Sequence, residues 1–244
     1  MKTIEIQQHG KFILVLLLAI LVMPVWAQKN TVKFNLLPLV SKTFAFEYER
    51  EVAPKMSVNV AMGFRGKSNL PFKKYWEDAI EDADFLNKAT LGHFTFTPEF
   101  RFYLNKNKGT RGFYIGPFIK YGKYNLETEY PLEMEEGDVK DILIKGGIST
   151  WSAGFAIGSQ FKLSKSVFMD FRILGPHYGT TNGNLKGMTQ LTADEQAELR
   201  DQLSELEDVD FIKVTTEVTG EGATVKAKGP WAGIRAGLSI GYRF

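Results

Sequence analysis

The chain has 244 residues, with 30 Lys and Arg against 28 Asp and Glu, three His and no Cys. The absence of cysteine excludes disulfides, thiolate metal sites, cysteine nucleophiles and an N-terminal lipoprotein anchor. A net charge of +2 and 44% hydrophobic residues fit one or two domains, while 19 Phe beside 23 Gly suggest strands that face an apolar medium on one side.

Residues 1–27 read as a secretory signal. Lys2 and Lys11 supply positive charge, Phe12 to Val22 is an unbroken apolar run of 11, and Val25-Trp26-Ala27 suits cleavage between Ala27 and Gln28. A membrane-spanning helix needs about 20 apolar residues, and no stretch of the chain reaches that length. Residues 28–244 then form one domain without a helical span.

From Gln28 onward the hydrophobic period is two rather than 3.6, and eight stretches follow one another. The first, about 31 to 40, is the least regular, because Leu37 and Leu39 fall on its polar face. In the second, Phe44, Phe46 and Tyr48 oppose Glu47 and Glu49; in the third, Met56, Val58, Val60, Met62 and Phe64 oppose Ser57, Asn59, Gly63 and Arg65. In the fourth, Phe94, Phe96, Phe100, Phe102 and Leu104 oppose Thr95, Thr97, Glu99, Arg101 and Tyr103. Phe113, Ile115, Ile119 and Tyr121 oppose Gly116, Lys120 and Gly122 in the fifth. Trp151, Ala153, Phe155, Ile157, Phe161 and Leu163 oppose Ser152, Gly154, Ala156, Gly158, Gln160 and Lys162 in the sixth. The seventh sets Val167, Met169, Phe171 and Ile173 against Asp170 and Arg172. The eighth sets Ala232, Ile234, Ala236, Leu238, Ile240, Tyr242 and Phe244 against Gly233, Arg235, Gly237, Ser239, Gly241 and Arg243.

A soluble ligand-binding barrel turns its apolar face inward; a membrane barrel turns it toward lipid and fills its lumen with the polar face. Bulky aromatic residues on one face, with Gly, Ser and charged residues on the other, favour the second arrangement. The connections agree. Those after the second, fourth and sixth stretches are short, about 53–55, 105–110 and 164–165, whereas those after the third, fifth and seventh are long, 67–90, 126–147 and 177–229. Such alternation is expected of an all-β, eight-stranded antiparallel transmembrane barrel with short periplasmic turns and long external loops. Within the third long loop, Thr192 and Glu195 have capping-box spacing, and Leu199, Leu203 and Leu206 follow at helical intervals, which predicts one short helix.

The signal, strand count, loop alternation and the ending Leu238-Ser239-Ile240-Gly241-Tyr242-Arg243-Phe244 give residues 28–244 a resemblance to the small OmpA- and OmpX-type outer-membrane barrels of Gram-negative bacteria. The resemblance implies a monomer in the bacterial outer membrane, in contact with its lipids, without the peptidoglycan-binding domain that often follows such barrels. It also implies that Tyr242 and Phe244 form the signal read by the barrel assembly machinery.

The inward face would carry the lumen charges Glu47, Glu49, Arg65, Glu99, Arg101, Lys120, Asp170, Arg172 and Arg235, with Lys33, Lys162 and Arg243 as further candidates. Eight strands leave an interior just wide enough for side chains, so these charges must pair or find water. They could plug the barrel or tune a narrow channel for small solutes. Enzymes of the same fold class act on lipid A or phospholipid acyl chains. The residues available for such chemistry at the external strand ends are His93, His177, Ser149 and Ser152, but no His-x-Ser pair resembles the lipid A deacylase pattern, and Ser/His chemistry needs a third orienting group. A non-enzymatic structural or surface-interaction role is therefore expected, with no cofactor, no metal and no nucleic-acid partner.

The charge is strongly segregated. The three long loops hold 22 acids and 11 bases, while the remainder of 28–244 holds 17 bases and five acids. Eight acids lie between Asp194 and Asp210 against Arg200 alone, and Glu133, Glu135, Glu136, Asp138 and Asp141 form a second acidic run that matches no defined calcium loop. An acidic crown of this kind favours an external cationic partner over anionic phosphates.

Overall fold

The computed structural model describes residues 29–72, 87–105, 109–133, 139–204 and 211–244. The predicted signal segment with its cleavage point Ala27/Gln28, most of 67–90 and much of the 133–141 acidic run lie outside the described residues or their described side chains.

The elements are β1 (Asn30–Asn35), β2 (Phe44–Ala53), β3 (Met56–Asn69), β4 (Thr90–Tyr103), β5 (Gly112–Glu133), β6 (Val139–Lys162), β7 (Val167–Met188), α1 (Ala193–Ser204), β8 (Lys213–Thr219) and β9 (Gly222–Arg243). Consecutive strands β1 to β7 pair antiparallel, β7 pairs with β9, and β9 pairs back onto β1. Eight strands thus close a ring, and β8 lies outside it against the far end of β9.

The register around the ring is staggered. From Ser239 the pairing runs to Asn35, Ala45, Gly63, Thr95, Gly122, Thr150, Thr181 and finally Gly229, so one circuit returns to β9 ten residues away. Closing a sheet with such a shear requires strands tilted by about 35–45° to the barrel axis. The alternation seen in the sequence becomes an inside and an outside. Phe46, Phe64, Phe155, Trp151, Phe113 and Ile234 are exposed on the outer wall, whereas Glu47, Glu49, Ser57, Asn59, Glu99, Arg101, Asp170 and Arg172 are buried within. The apolar face therefore points outward.

Three features depart from the sequence expectation. The first strand does not run to residue 40; it stops at Asn35, and Leu37–Ser41 form a 3-10 turn with Pro38 near its start, closed by hydrogen bonds from Lys42 N to Leu39 O (2.8 Å) and Thr43 N to Pro38 O (3.1 Å). Proline has no N–H to give to a ladder, and the off-pattern Leu37 and Leu39 belong to this turn. Second, 126–147 and 177–229 are less loop than hairpin, since β5, β6, β7 and β9 continue far beyond the apolar belt in unbroken register. The third region also contributes β8 as well as the expected helix. Thr192 N bonds Glu195 Oε2 at 2.7 Å at the start of α1, and Leu199 packs with Leu191 and Val218, with Leu203 and Ala223 against them, so α1 seats on the β8–β9 hairpin. Third, β7 carries one extra residue between Arg172 and Gly175 relative to both neighbours, a β-bulge. Ile173 and Leu174 both face outward there, and the parity of every later residue on β7 is reversed.

Inner packing is tight around Gly158, where an added Cβ would lie 2.4 Å from the Tyr114 ring and 2.7 Å from Phe171 O. Gly158→Ala is expected to destabilise the barrel by about 1–3 kcal/mol through overpacking. A lowered urea midpoint for loss of the folded, heat-modifiable gel band would show it, and an unchanged midpoint would contradict this packing.

Candidate functional site

The inward residues of all eight ring strands meet in one network. Lys33 on β1 contacts Glu49, lies 2.5 Å from Asp170 Oδ2 and donates to Gln160 Oε1. Arg101 on β4 is the hub: Nε lies 2.6 Å from Glu99 Oε1, Nη1 2.5 Å from Asp170 Oδ2 and 3.5 Å from Glu49 Oε2, and Nη2 3.4 Å from Glu47 Oε2. Arg172 on β7 reaches Glu47 at 3.0 Å and Glu99 at 3.6 Å, and Arg235 on β9 reaches Glu99 at 3.1 Å. Neutral donors complete the carboxylates. Ser57 and Tyr103 each donate to Glu49 at 2.5 Å, Asn59 to Glu47 at 3.0 Å, and Tyr114 to Asp170 at 2.9 Å. Two guanidinium groups also lie over rings, Arg101 on Tyr114 at 4.3 Å and Arg235 on Phe118 at 4.4 Å.

Lys33, Arg101, Arg172 and Arg235 balance Glu47, Glu49, Glu99 and Asp170, so the network is neutral. Of the nine lumen charges expected from the sequence, the structure brings seven into it, together with Lys33. Arg65 stays apart, because it sits near the upper end of β3, beside a bulge between Arg65 and Ser68, and its guanidinium turns to Ser68 Oγ and Asn69 O. Lys120 also stays apart, with no hydrogen bond or ion pair among the described residues. Lys162 is exposed at the short-turn end. Arg243 caps that end instead, bonding Thr31 and Thr110 and covering the Phe168 ring. Tyr114 and Phe118 escaped the sequence reading because an aromatic type masked their inward parity, which residue spacing on the fifth stretch does carry.

Toward the long-strand end, the network is the floor of a cavity of about 370 Å³ lined by Thr43, Ala45, Thr95, Thr97, His93, Lys120, Tyr124 and Arg235 among others. Tyr124 on β5 packs against His93 on β4 at 5.5 Å and against Trp231 on β9 at 5.7 Å, a row of rings that crosses the lumen above it. His177 is not a rim residue. The β7 bulge turns it inward, where it is buried against Phe118 with ring centroids 6.0 Å apart. His93 Nε2 lies 3.5 Å from Thr43 Oγ1, and neither histidine is hydrogen-bonded to Ser149 or Ser152 among the described residues.

Beyond the belt, Lys67 donates to Glu127 at 2.6 Å and Lys145 lies 3.0 Å from it, tying β3, β5 and β6 together and holding the Glu127 carboxyl below its ordinary range through these hydrogen bonds. Lys88 and Glu129 pair at 2.7 Å. Among its described residues, the acidic crown is thus partly neutralised by its own lysines. Tyr242 is exposed on the outer wall at the end of β9, and Phe244 bonds Asn30 through both backbone groups.

A family model described as a protein of unknown function, DUF3575, matches residues 12–183. No curated protein matches the sequence. Among solved structures, the chain is similar to the N-terminal β-barrel domain of Pseudomonas aeruginosa OprF at 8% identity, covering 89% of this chain and 98% of that domain with a TM-score of 0.28.

Removing one partner of a buried ion pair leaves the other charge uncompensated, at a cost of about 3–5 kcal/mol. Arg101→Met is expected to lower barrel stability by at least that amount, because four carboxylates lose their common cation. Lys120→Met is expected to change it by less than about 1 kcal/mol. Urea titrations of the two variants in the same detergent would check the contrast.

Proposed function

We propose, for a chain that belongs to the DUF3575 family of proteins of unknown function, that it is an outer-membrane barrel with a structural or surface-interaction role, exported by its N-terminal signal and closed by its own lumen charges. The observation that carries this reading is the inversion of the ring, with an exposed apolar wall outside and a neutral, hydrogen-bonded charge network inside. The outward belt spans nine residues on β3, from Met56 to Phe64, and nine on β5, from Phe113 to Tyr121, which matches the 9–11 residues a tilted strand needs to cross hydrocarbon. Short turns would face the periplasm and the prolonged hairpins the exterior, with the crown of 67–90, 126–147 and 177–229 as the contact surface for an external partner. Tyr242 and Phe244 would serve assembly by the barrel machinery.

The floor of paired charges supports a closed lumen over the channel reading, because Arg101 and its carboxylates link opposite walls. In planar bilayers the purified protein is expected to give no stable open-pore current, and a steady single-channel conductance would overturn the closed reading. Phe155, 60% exposed at mid-belt, provides the membrane test. Phe155→Arg is expected to cost about 2–4 kcal/mol of stability in lipid vesicles if that position lies near the bilayer midplane, and a negligible change would count against the span.

A further inference from the structure

The short first strand leaves a side opening in the ring. β9 pairs with β8 from Gly222 to Lys228, and with β1 only from Ser239 to Arg243. Below the last bond from Leu36 N to Leu238 O (2.7 Å), the ladder is continuous; between Gly229 and Gly237 no strand among the described residues pairs with that edge of β9, and the 3-10 turn lies there instead. The cavity reaches this opening. Its lining includes Pro38 and Ser41 from the turn and Ile234 and Ala236, whose side chains belong to the outer face of β9. Straight up the axis, the row His93–Tyr124–Trp231 crosses its path. Beside that part of the lining stand the exposed apolar residues Leu37, Leu39, Val40 and Ile234.

Its charge is unbalanced. The floor is neutral, with each of its four carboxylates already held by Lys33, Arg101, Arg172 or Arg235. Lys120, half-buried on the cavity wall, has no acidic partner among the described residues. Its register partner on β6, Ser152, is 5% exposed and its Oγ has no hydrogen-bond partner. Thr95 and Thr97 also line the cavity, as does Arg235, whose guanidinium is held by Glu99 and lies over Phe118. A cation beside hydroxyl groups, in a space the size of small-ligand sites, is an anion receptor, and an opening to an apolar surround fits a chain attached to that anion.

We propose that this cavity binds the anionic head of a single-chain amphiphile, a fatty carboxylate or an alkyl phosphate, whose hydrocarbon tail leaves between the 3-10 turn and β9. Lys120 supplies the charge, and Ile234 and Ala236 flank the tail. The proposal rests on the membrane reading above, and its test separates the two. The barrel, purified in a neutral detergent, is titrated with dodecanoate, dodecyl phosphate, dodecanol and inorganic phosphate and followed by native mass spectrometry. One dodecanoate or dodecyl phosphate is expected to bind per barrel, at least tenfold more tightly than dodecanol or inorganic phosphate. Preference between the two amphiphiles identifies the head group. Lys120→Gln and Ala236→Trp are each expected to weaken binding at least tenfold, and Lys120→Arg to preserve it, with heat-modifiable gel mobility confirming that every variant is folded. Equal binding of dodecanol, equal binding of inorganic phosphate, or full affinity in Lys120→Gln would overturn the proposal. A chain that stays soluble without detergent would overturn the membrane reading, whereas a folded, detergent-dependent barrel that takes none of the probes overturns the amphiphile alone.

Discussion

A ring of eight strands is too narrow to hold bulk water and too wide to be empty, and this governs everything inside it. The inward face of this chain is charged, so each charge must find its counterion within the ring. Arg101 does most of this, touching Glu47, Glu49, Glu99 and Asp170 from strands β2, β4 and β7. Such a network is weak evidence of net stability, since desolvation offsets much of the attraction. Its stronger consequence is register. A one-residue slip of any strand exchanges its two faces, which would send Glu47 and Glu49 outward and bring Phe46 and Tyr48 into a space already filled.

The same filling explains the small residues. Tyr114 reaches Asp170 only because Gly158 leaves room for its ring, and His177 lies over Gly233, where a Cβ would stand 2.9 Å from the imidazole. Large inward side chains thus face glycines on neighbouring strands, while the outer wall, free of that constraint, carries the bulky apolar residues. Past the belt the constraint ends, yet β5 and β6 remain paired to Glu133 and Val139. From Tyr121 this is roughly 35–40 Å of strand at about 3.3 Å per residue, held by backbone ladders and by exposed pairs such as Lys67–Glu127.

Period two carried the fold, because burial on one face imposes it directly. The inward placement of Glu47, Glu99, Arg101 and Asp170 was legible residue by residue. What parity could not carry was any interruption of it. His177 looked like a rim residue since nothing in Ile173-Leu174-Gly175 announces which residue a bulge will absorb. Pairing also lay beyond reach: Lys120 and Arg235 share parity and charge type, but only the stagger around the ring gives Arg235 a carboxylate and leaves Lys120 without one. The long hairpins read as loops because their apolar residues are sparse or run together, as in Ile142-Leu143-Ile144, and so show no alternation.

The short first strand and the cavity have a common physical origin. Backbone N–H and C=O groups left unpaired cannot face hydrocarbon; they are tolerated in a membrane only where protein covers them or where they line a polar space. The edge of β9 between Gly229 and Gly237 has no strand partner among the described residues, and in the proposed membrane setting both conditions would meet there, with the apolar 3-10 turn outside and the cavity within. Continuing β1 past Asn35 would begin to pair this edge, but Pro38, which would stand opposite Ala236 in that register, has no N–H to give to the ladder. The proline beyond the end of β1 thus bears on both features, because it leaves this edge of β9 to the turn and Pro38 itself lines the cavity that Lys120 also lines.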